Sequence, residues 1–433
     1  MAAGLLRRPA GTVTEVFKDA ADREAAYRLV ENDSVPVEEI ASAAHRAAVG
    51  RCAAEAFAYV PVDQSSLAIT DDSGDKGLGI VGTRRLGASG LQVISAIAVA
   101  PDGTPVGICG QTFWARIARS KGKKKNDRRP TVEKETQRWL DVMEDVSKTF
   151  GVTAPATRPW FQLDRGADAW PILFDATKST AWLTVRAAYD RRLEGLVDGA
   201  RDYLWPRLSR QEPCASYVLR VSKRGVKRAR SAVMQLQTCR VTLDFKAVKG
   251  ADASSATLWA VRAVETEPPV GETAIEWMLL TTYPVDDSIS AQQVVQGYAA
   301  RWRIEEFHRI WKTGGCNVED TQMRELEHIE RWATIHASVA MRLLRLTYLA
   351  RTAAEQPATV ELSRHEIDAV ILSRKPKGSR RGDTPTIGVV VGWIAEEGGY
   401  TGKSSGGPPG AIVIARGLEH IRVLARVLAD GDL

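Results

Sequence analysis

Cysteine is scarce in this chain of 433 residues, and histidine is nearly as scarce. The five cysteines, Cys52, Cys109, Cys214, Cys239 and Cys316, are odd in number and widely spaced, with no CxxC pair. That excludes a disulfide framework and a zinc-ribbon site. The six histidines form no HExxH motif. A metal ion in this protein is therefore expected to sit on carboxylates, which favours a hard cation. Long apolar runs are absent too. Val93–Ala100 and Gly388–Ala395 are among the longest, far short of the roughly 18 residues that cross a bilayer. The opening MAAGLLRRPAG lacks the apolar stretch of a signal peptide. These absences lead to the expectation of a cytoplasmic protein without a membrane partner. Low charge and low hydrophobicity are not among its features. With 44% hydrophobic and 26% charged residues it has ample material for a core.

The net charge of +6 is mild, but it is unevenly spread. Residues 115–129 carry eight Lys/Arg against one Asp, and residues 214–250 carry nine against one. Residues 1–60 carry seven Lys/Arg against nine Asp/Glu. Charge runs are commonly solvated loops. In 214–250, however, the cations alternate with strand-like apolar residues, as expected of a surface that tracks a phosphate backbone.

The pattern along the chain predicts mixed α/β architecture. Helices are expected over 12–31 and 36–58, interrupted by Asn32–Pro36. Ser66–Thr70 reads as a short strand ending in Asp71-Asp72. Leu91–Ala100 and Thr104–Ala115 form a hairpin around the Pro101–Gly103 turn. A helix over 131–149 precedes a strand, Pro159–Leu163, closed by Asp164. A helix over 181–205 then leads into the strands Tyr217–Val221, Val233–Phe245, Thr257–Val264 and Trp277–Thr282. Further helices are expected at Ser290–Thr313, about 325–352 and Leu418–Leu428, with a basic linker at Arg374–Thr386. No internal repeat is present.

The most informative stretch is YAARWRIEEFHRIWKTG, Tyr298–Gly314. At about 100° per residue, Tyr298, Arg301, Glu305 and Lys312 fall within an arc of about 60°. Ala300, Ile304, Phe307 and Trp311 fall on the opposite side. A solvated polar face would explain the periodicity. It does not explain the choice of a phenol, two cations and a carboxylate, the mixture that a phosphate beside a metal requires.

The spacing Tyr298-x2-Arg301-x3-Glu305-x6-Lys312 resembles the Y-R-E-K signature of the insertion-sequence-four family of bacterial DDE transposases, the transposon-five type. The resemblance extends through LAITDDS (67–73), FQLDRGADAW (161–170), YVLRVSK (217–223), GETAIEWMLLTTYPV (271–285), RWATIHASVAMRLLRL (331–346) and, more weakly, GWIAEEGGY (392–400). It covers most of residues 20–425.

The resemblance implies a ribonuclease-H-like catalytic core, about 63–350, with a β-strand insertion at about 206–288. Helical regions flank it at 1–62 and 351–433. It implies a carboxylate triad of Asp71, Asp164 and Glu305, with Asp72 as the fallback for the first. The family's triplet there is Asp-Thr-Thr or Asp-Ser-Thr, and this chain has Asp71-Asp72-Ser73. Two magnesium or manganese ions held about 3.5–4 Å apart would activate water or a 3′-hydroxyl and stabilise the leaving oxygen. Tyr298 and Arg301 resemble residues that grip the phosphate of an extruded base, and Trp277 the tryptophan on which that base stacks. Lys312 resembles a lysine near the scissile phosphate. Arg220 and Lys223 resemble DNA contacts of the insertion. The partners implied are double-stranded DNA, as transposon ends and target, and a second copy of the chain. Ile421, Leu424, Val427 and Leu428 supply a stripe for that dimer. The resemblance starts at residue 22, and the residues before it do not resemble the family's leading end-reading segment. The alternative expectation is therefore a truncated, non-catalytic form that inhibits transposition by binding DNA or dimerising. A DDE-type nuclease without transposition would share the same site.

Overall fold

The computed structural model describes residues 1, 4–5, 9–82, 87–116, 131–197, 199–221, 229–245, 255–402 and 407–431. In chain order its elements begin with helices α1 (Val13–Val16), α2 (Ala20–Val30) and α3 (Val37–Gly50). Strands β1 (Phe57–Ala68), β2 (Gly79–Ile80), β3 (Ser89–Val99) and β4 (Pro105–Trp114) follow. Then come α4 (Glu135–Thr153), β5 (Arg158–Leu163), α5 (Trp170–Ala176), β6 (Trp182–Arg186), β7 (Arg192–Val197), β8 (Ala200–Tyr203) and α6 (Leu204–Ser209). Strands β9 (Ala215–Val221), β10 (Arg230–Asp244), β11 (Ser255–Glu265) and β12 (Glu276–Thr281) precede α7 (Ser288–Ala300) and α8 (Trp302–Lys312). The last helices are α9 (Leu326–Thr352), α10 (Arg364–Arg374), α11 (Ile387–Glu397) and α12 (Ala411–Gly431).

These elements divide into two compact units. One comprises residues 1–52, 64–121 and 303–433, and the other residues 53–63 and 122–302. The second unit is built on a mixed sheet of order β1-β5-β6-β12-β11-β10-β7-β8, with β9 on β10. β1 with β5, and β5 with β6, are parallel; β6 with β12 and the strands beyond are antiparallel. Aromatics fill its core. Trp160 is fully buried and stacks on Tyr283 with ring centroids 4.2 Å apart. A buried indole N–H needs an acceptor, and Trp160 Nε1 donates to Thr184 Oγ1 at 2.9 Å. Thr184 donates in turn to Thr281 Oγ1 at 3.0 Å, and Thr281 to the Leu183 carbonyl at 2.6 Å. This hydroxyl chain ties β5, β6 and β12 together without an unsatisfied polar atom among its members.

The first unit pairs the β3–β4 hairpin with a helical layer. The 27-residue α9 buries residues on nearly every side, Ile329, Trp332, Val339, Leu343 and Leu346 among them, as a helix at the centre of a core must. Helix α8 buries Ile304, Phe307, Ile310 and Trp311, and Trp311 Nε1 donates to the Ala333 carbonyl of α9 at 3.1 Å. Among the described residues no helix is long and apolar enough to cross a membrane.

Several sequence expectations need correction. The helix expected to reach residue 58 stops at Gly50, and Phe57–Ala68 is a strand twelve residues long. Its aromatic and β-branched start is extended by parallel pairing to β5. The helix expected over 181–205 is absent. Trp182–Arg186 instead inserts between β5 and β12, followed by two short strands and a six-residue helix. The β-rich region thus starts upstream of residue 206. The single helix over 290–313 is two segments meeting at Arg301. The 60° arc assumed one uninterrupted helix. In the C-terminal stripe, Ile421 is buried within the chain, Leu424 and Leu428 are half-buried and Val427 is exposed.

Candidate active site

Within the second unit, two carboxylates reach the same level of neighbouring parallel strands. β1 and β5 pair from Phe57 with Arg158 through Val62 with Leu163. The next step of that register sets Asp63 beside Asp164. Register partners in a parallel pair project to one face, with strands about 5 Å apart. Asp63 is buried. Asp164 remains extended, at φ −84° and ψ −174°, and its Oδ1 accepts the Gly166 N–H at 2.8 Å. The strand therefore ends with a carboxylate fixed at the start of a tight turn.

Helix α7 brings the next side chains to this end of the sheet. Its start is fixed by a capping box, with Asp287 Oδ1 accepting the Ser290 N–H at 2.7 Å and Ser290 Oγ accepting the Asp287 N–H at 3.0 Å. Its approach depends on Gly297. A Cβ at that position would lie 2.5 Å from Tyr59 Cε1 and 3.0 Å from Gln162 Nε2. Tyr59 belongs to β1 and Gln162 to β5, so only hydrogen at this position allows the helix to lie this close to both carboxylate-bearing strands. One residue later stands Tyr298, almost fully buried. Its ring meets Trp277 edge-on, with centroids 5.2 Å apart and planes at 71°. Arg301 ends the helix with helical dihedrals, φ −53° and ψ −30°. Its Nη1 lies 4.0 Å from Asp63 Oδ1, and its guanidinium carbon 6.0 Å from the Tyr298 ring centroid. The second unit thus gathers Asp63, Asp164, Arg301, Tyr298 and the half-exposed Trp277.

The first unit holds the other expected residues. Glu305 is half-buried on α8. Lys312 Nζ lies 3.3 Å from Glu319 Oε1, the same oxygen that accepts the Ala68 N–H at 2.8 Å. Asp71 lies beyond the end of β1, in a turn where its Oδ1 accepts the Gly74 N–H at 3.1 Å and Lys76 Nζ donates to the Thr70 carbonyl at 2.7 Å. Gly74 has φ +76°, which suits glycine. Asp72 is exposed. Arg220 is exposed on β9, paired in register with Ser231. Lys223 and residues 117–130 lie outside the described residues. Among the described residues, no group of three or more His, Cys, Asp or Glu is drawn together as a metal site.

Two residues escaped the sequence reading. Asp63 is masked in the sequence because helical spacing runs through Phe57 and Ala58 just ahead of it. Its signal was a lone carboxylate inside the alternating segment FAYVPVDQSSLA. Glu319 had no sequence signal, because its partners lie on α8 and on β1.

A protein-family model described as the transposase DDE domain matches residues 110–342, more than half of the chain. The protein belongs to this family. It is a transposase with DNA as its substrate. The matched segment contains Asp164, Arg220, Trp277, Tyr298, Arg301, Glu305 and Lys312.

Proposed function

We propose that the protein is a cut-and-paste DNA transposase of the insertion-sequence-four, transposon-five type. Its core is ribonuclease-H-like, and its carboxylates are Asp63, Asp164 and Glu305. The observation that carries this reading is the parallel register that sets Asp63 level with Asp164. A strand-borne carboxylate beside a strand-terminal one, followed by a helix-borne glutamate, is the arrangement that the chemistry needs. The segment Asp63-Gln64-Ser65 also has a hydroxyl residue two positions after the carboxylate, as in the family's triplet. Asp71, in its turn, is the alternative first carboxylate that the test must separate.

The donor set is entirely carboxylate, which fits magnesium or manganese. Two such ions, when bound, would activate water or a 3′-hydroxyl and stabilise the leaving oxygen at the scissile phosphate. Asp63, Asp164 and Glu305 would hold them. Arg301 and Lys312 supply positive charge for phosphate oxygens, and Tyr298 a hydroxyl donor. The half-exposed indole of Trp277 offers a stacking face to an extruded base, which offsets part of the few kcal/mol that unstacking costs. Arg220 and Lys223 extend the cationic surface along the duplex. The steps that follow are nicking at the element end, attack of the freed 3′-hydroxyl to form a hairpin, hairpin opening and strand transfer into target DNA. Val427 and the half-buried Leu424 and Leu428 of α12 are the stripe residues through which a second copy would pack in the DNA complex.

The test is a nicking assay on DNA carrying the element's terminal inverted repeats, in magnesium. Asp63→Asn, Asp164→Asn and Glu305→Gln should each abolish nicking while retaining DNA binding. Asp71→Asn should nick within a few-fold of wild type. The reverse pattern at 63 and 71 would move the first carboxylate to Asp71.

A further inference from the structure

A second site lies at the opposite end of the same sheet. A cavity of about 370 Å³ opens where β5 and β6 begin and β12 ends. Arg158, Arg240, Trp182, Trp259, Ser179 and Thr282 line it. Arg158 is six residues along β5 from Asp164, about 20 Å at the rise of an extended strand. The cavity is therefore separate from the carboxylate end.

Its chemistry is one-sided. No Asp or Glu lines it. Arg158 and Arg240 are both exposed, and neither meets a carboxylate among the described residues. Ser179 Oγ accepts the Ala181 N–H at 3.1 Å, and Thr282 Oγ1 accepts the Leu183 N–H at 2.9 Å. Each hydroxyl thus keeps its own proton to donate. Two guanidinium groups and two oriented hydroxyl donors make an anion site, and the planar fork of arginine suits phosphate above other anions. The cavity also carries two indoles. The Arg158 guanidinium lies over Trp182, 4.6 Å from the ring centroid. Trp259 is the direct cross-strand partner of Arg240, and both indoles are half-exposed. An aromatic face beside a cation is the combination that takes a base together with its phosphate. A duplex keeps its base faces covered, so the base must be unpaired.

We propose that this cavity binds one phosphorylated nucleotide unit, with its phosphate on Arg158 and Arg240 and its base against Trp259. The source favoured by the protein's DNA substrate is a single strand running past the end of the sheet remote from Asp164. A free mononucleotide presents the same chemistry and is the other source.

Calorimetric titration of the full chain at physiological salt tests this, using deoxyadenosine monophosphate and a five-residue thymidine oligonucleotide as probes. The double variant Arg158→Ala/Arg240→Ala should weaken both by about tenfold or more, the effect of losing charge-assisted hydrogen bonds. Trp259→Leu should weaken both and leave inorganic phosphate unchanged. Should Trp259→Leu fail to fold, Arg240→Ala alone, at an exposed position, should weaken both probes and inorganic phosphate together with an unchanged melting temperature. An oligonucleotide binding at least tenfold more tightly than the mononucleotide identifies the strand as ligand; equal affinities identify the free nucleotide. Affinities of the double variant within twofold of wild type, or no mononucleotide binding at millimolar concentration, would overturn the site. Asp164→Asn should lose nicking without altering the mononucleotide affinity, which separates this site from the catalytic assignment.

Discussion

The guanidinium of Arg301 stands 4.0 Å from the carboxylate of Asp63, both side chains largely removed from solvent. One caps the C-terminal end of a helix and the other lies within a strand almost 240 residues earlier. Within the second unit, the pair links the C-terminal end of α7 to the carboxylate end of the β1–β5 sheet. Removing the cation leaves a buried carboxylate with less compensation. Arg301→Ala should therefore lower unfolding free energy by about 1–3 kcal/mol in urea titrations. It should also abolish hairpin formation. Arg301→Lys should recover most of the stability and little of the hairpin activity, because a point charge does not replace a planar fork. Full hairpin activity in Arg301→Ala would remove this residue from the phosphate-binding role.

Gly297 makes the approach of α7 to the sheet possible, so its replacement should act at a distance. A methyl group there meets the buried Tyr59 ring at 2.5 Å. Gly297→Ala should cost about 1–3 kcal/mol through overpacking. It should also reduce the nicking rate by more than tenfold while DNA binding by the basic surface stays within a few-fold. A variant with wild-type rate and stability would show that the helix position is not critical.

Glu319 shares one oxygen between Lys312 and the Ala68 amide. Glutamine keeps an acceptor for the amide and loses the charge opposite the lysine. Glu319→Gln should change stability by less than about 1 kcal/mol, as for partly exposed ion pairs. Its DNA affinity should rise at low salt, and the slope of log affinity against log salt should steepen by about 0.9, the value for one added phosphate contact. An unchanged slope, measured by fluorescence anisotropy at four salt concentrations, would show that Lys312 does not reach the backbone.

Glu330 on α9 gives the fold a pH dependence. Burial, together with repulsion from Glu38 and Glu327, pushes its carboxyl pKa up to about 7. A carboxyl whose folded value exceeds its unfolded value favours the folded state while protonated. That contribution is fully present below about pH 4.5 and is lost as pH rises through 7. Glu330→Gln should therefore raise the melting temperature at pH 8, by the equivalent of about 1–2 kcal/mol after allowance for partial solvent screening, and leave it unchanged near pH 4.5. An equal shift at both pH values would assign the effect to packing.

The sequence by itself determined the elements whose signal is local. The Pro101–Gly103 hairpin, the strands of 217–282 and the α9 helix follow from alternation or helical spacing within each segment. So does Asp164, because a strand of six residues closes on it and a glycine two residues later accepts the turn. The signature Tyr298, Arg301, Glu305 and Lys312 is read from the sequence only through its resemblance to a family pattern, since helical spacing by itself fits a solvated polar face equally well. Only tertiary structure decided the rest. Phe57–Val62 is a strand because β5 pairs with it across about a hundred residues, and no window of local sequence contains that pairing. The same holds for Trp182–Arg186, whose apolar spacing suits a helix until β5 and β12 take it between them. The level of a carboxylate in a parallel sheet depends on register with a distant strand. For that reason the nearness of Asp63 to Asp164 became legible only in the folded chain.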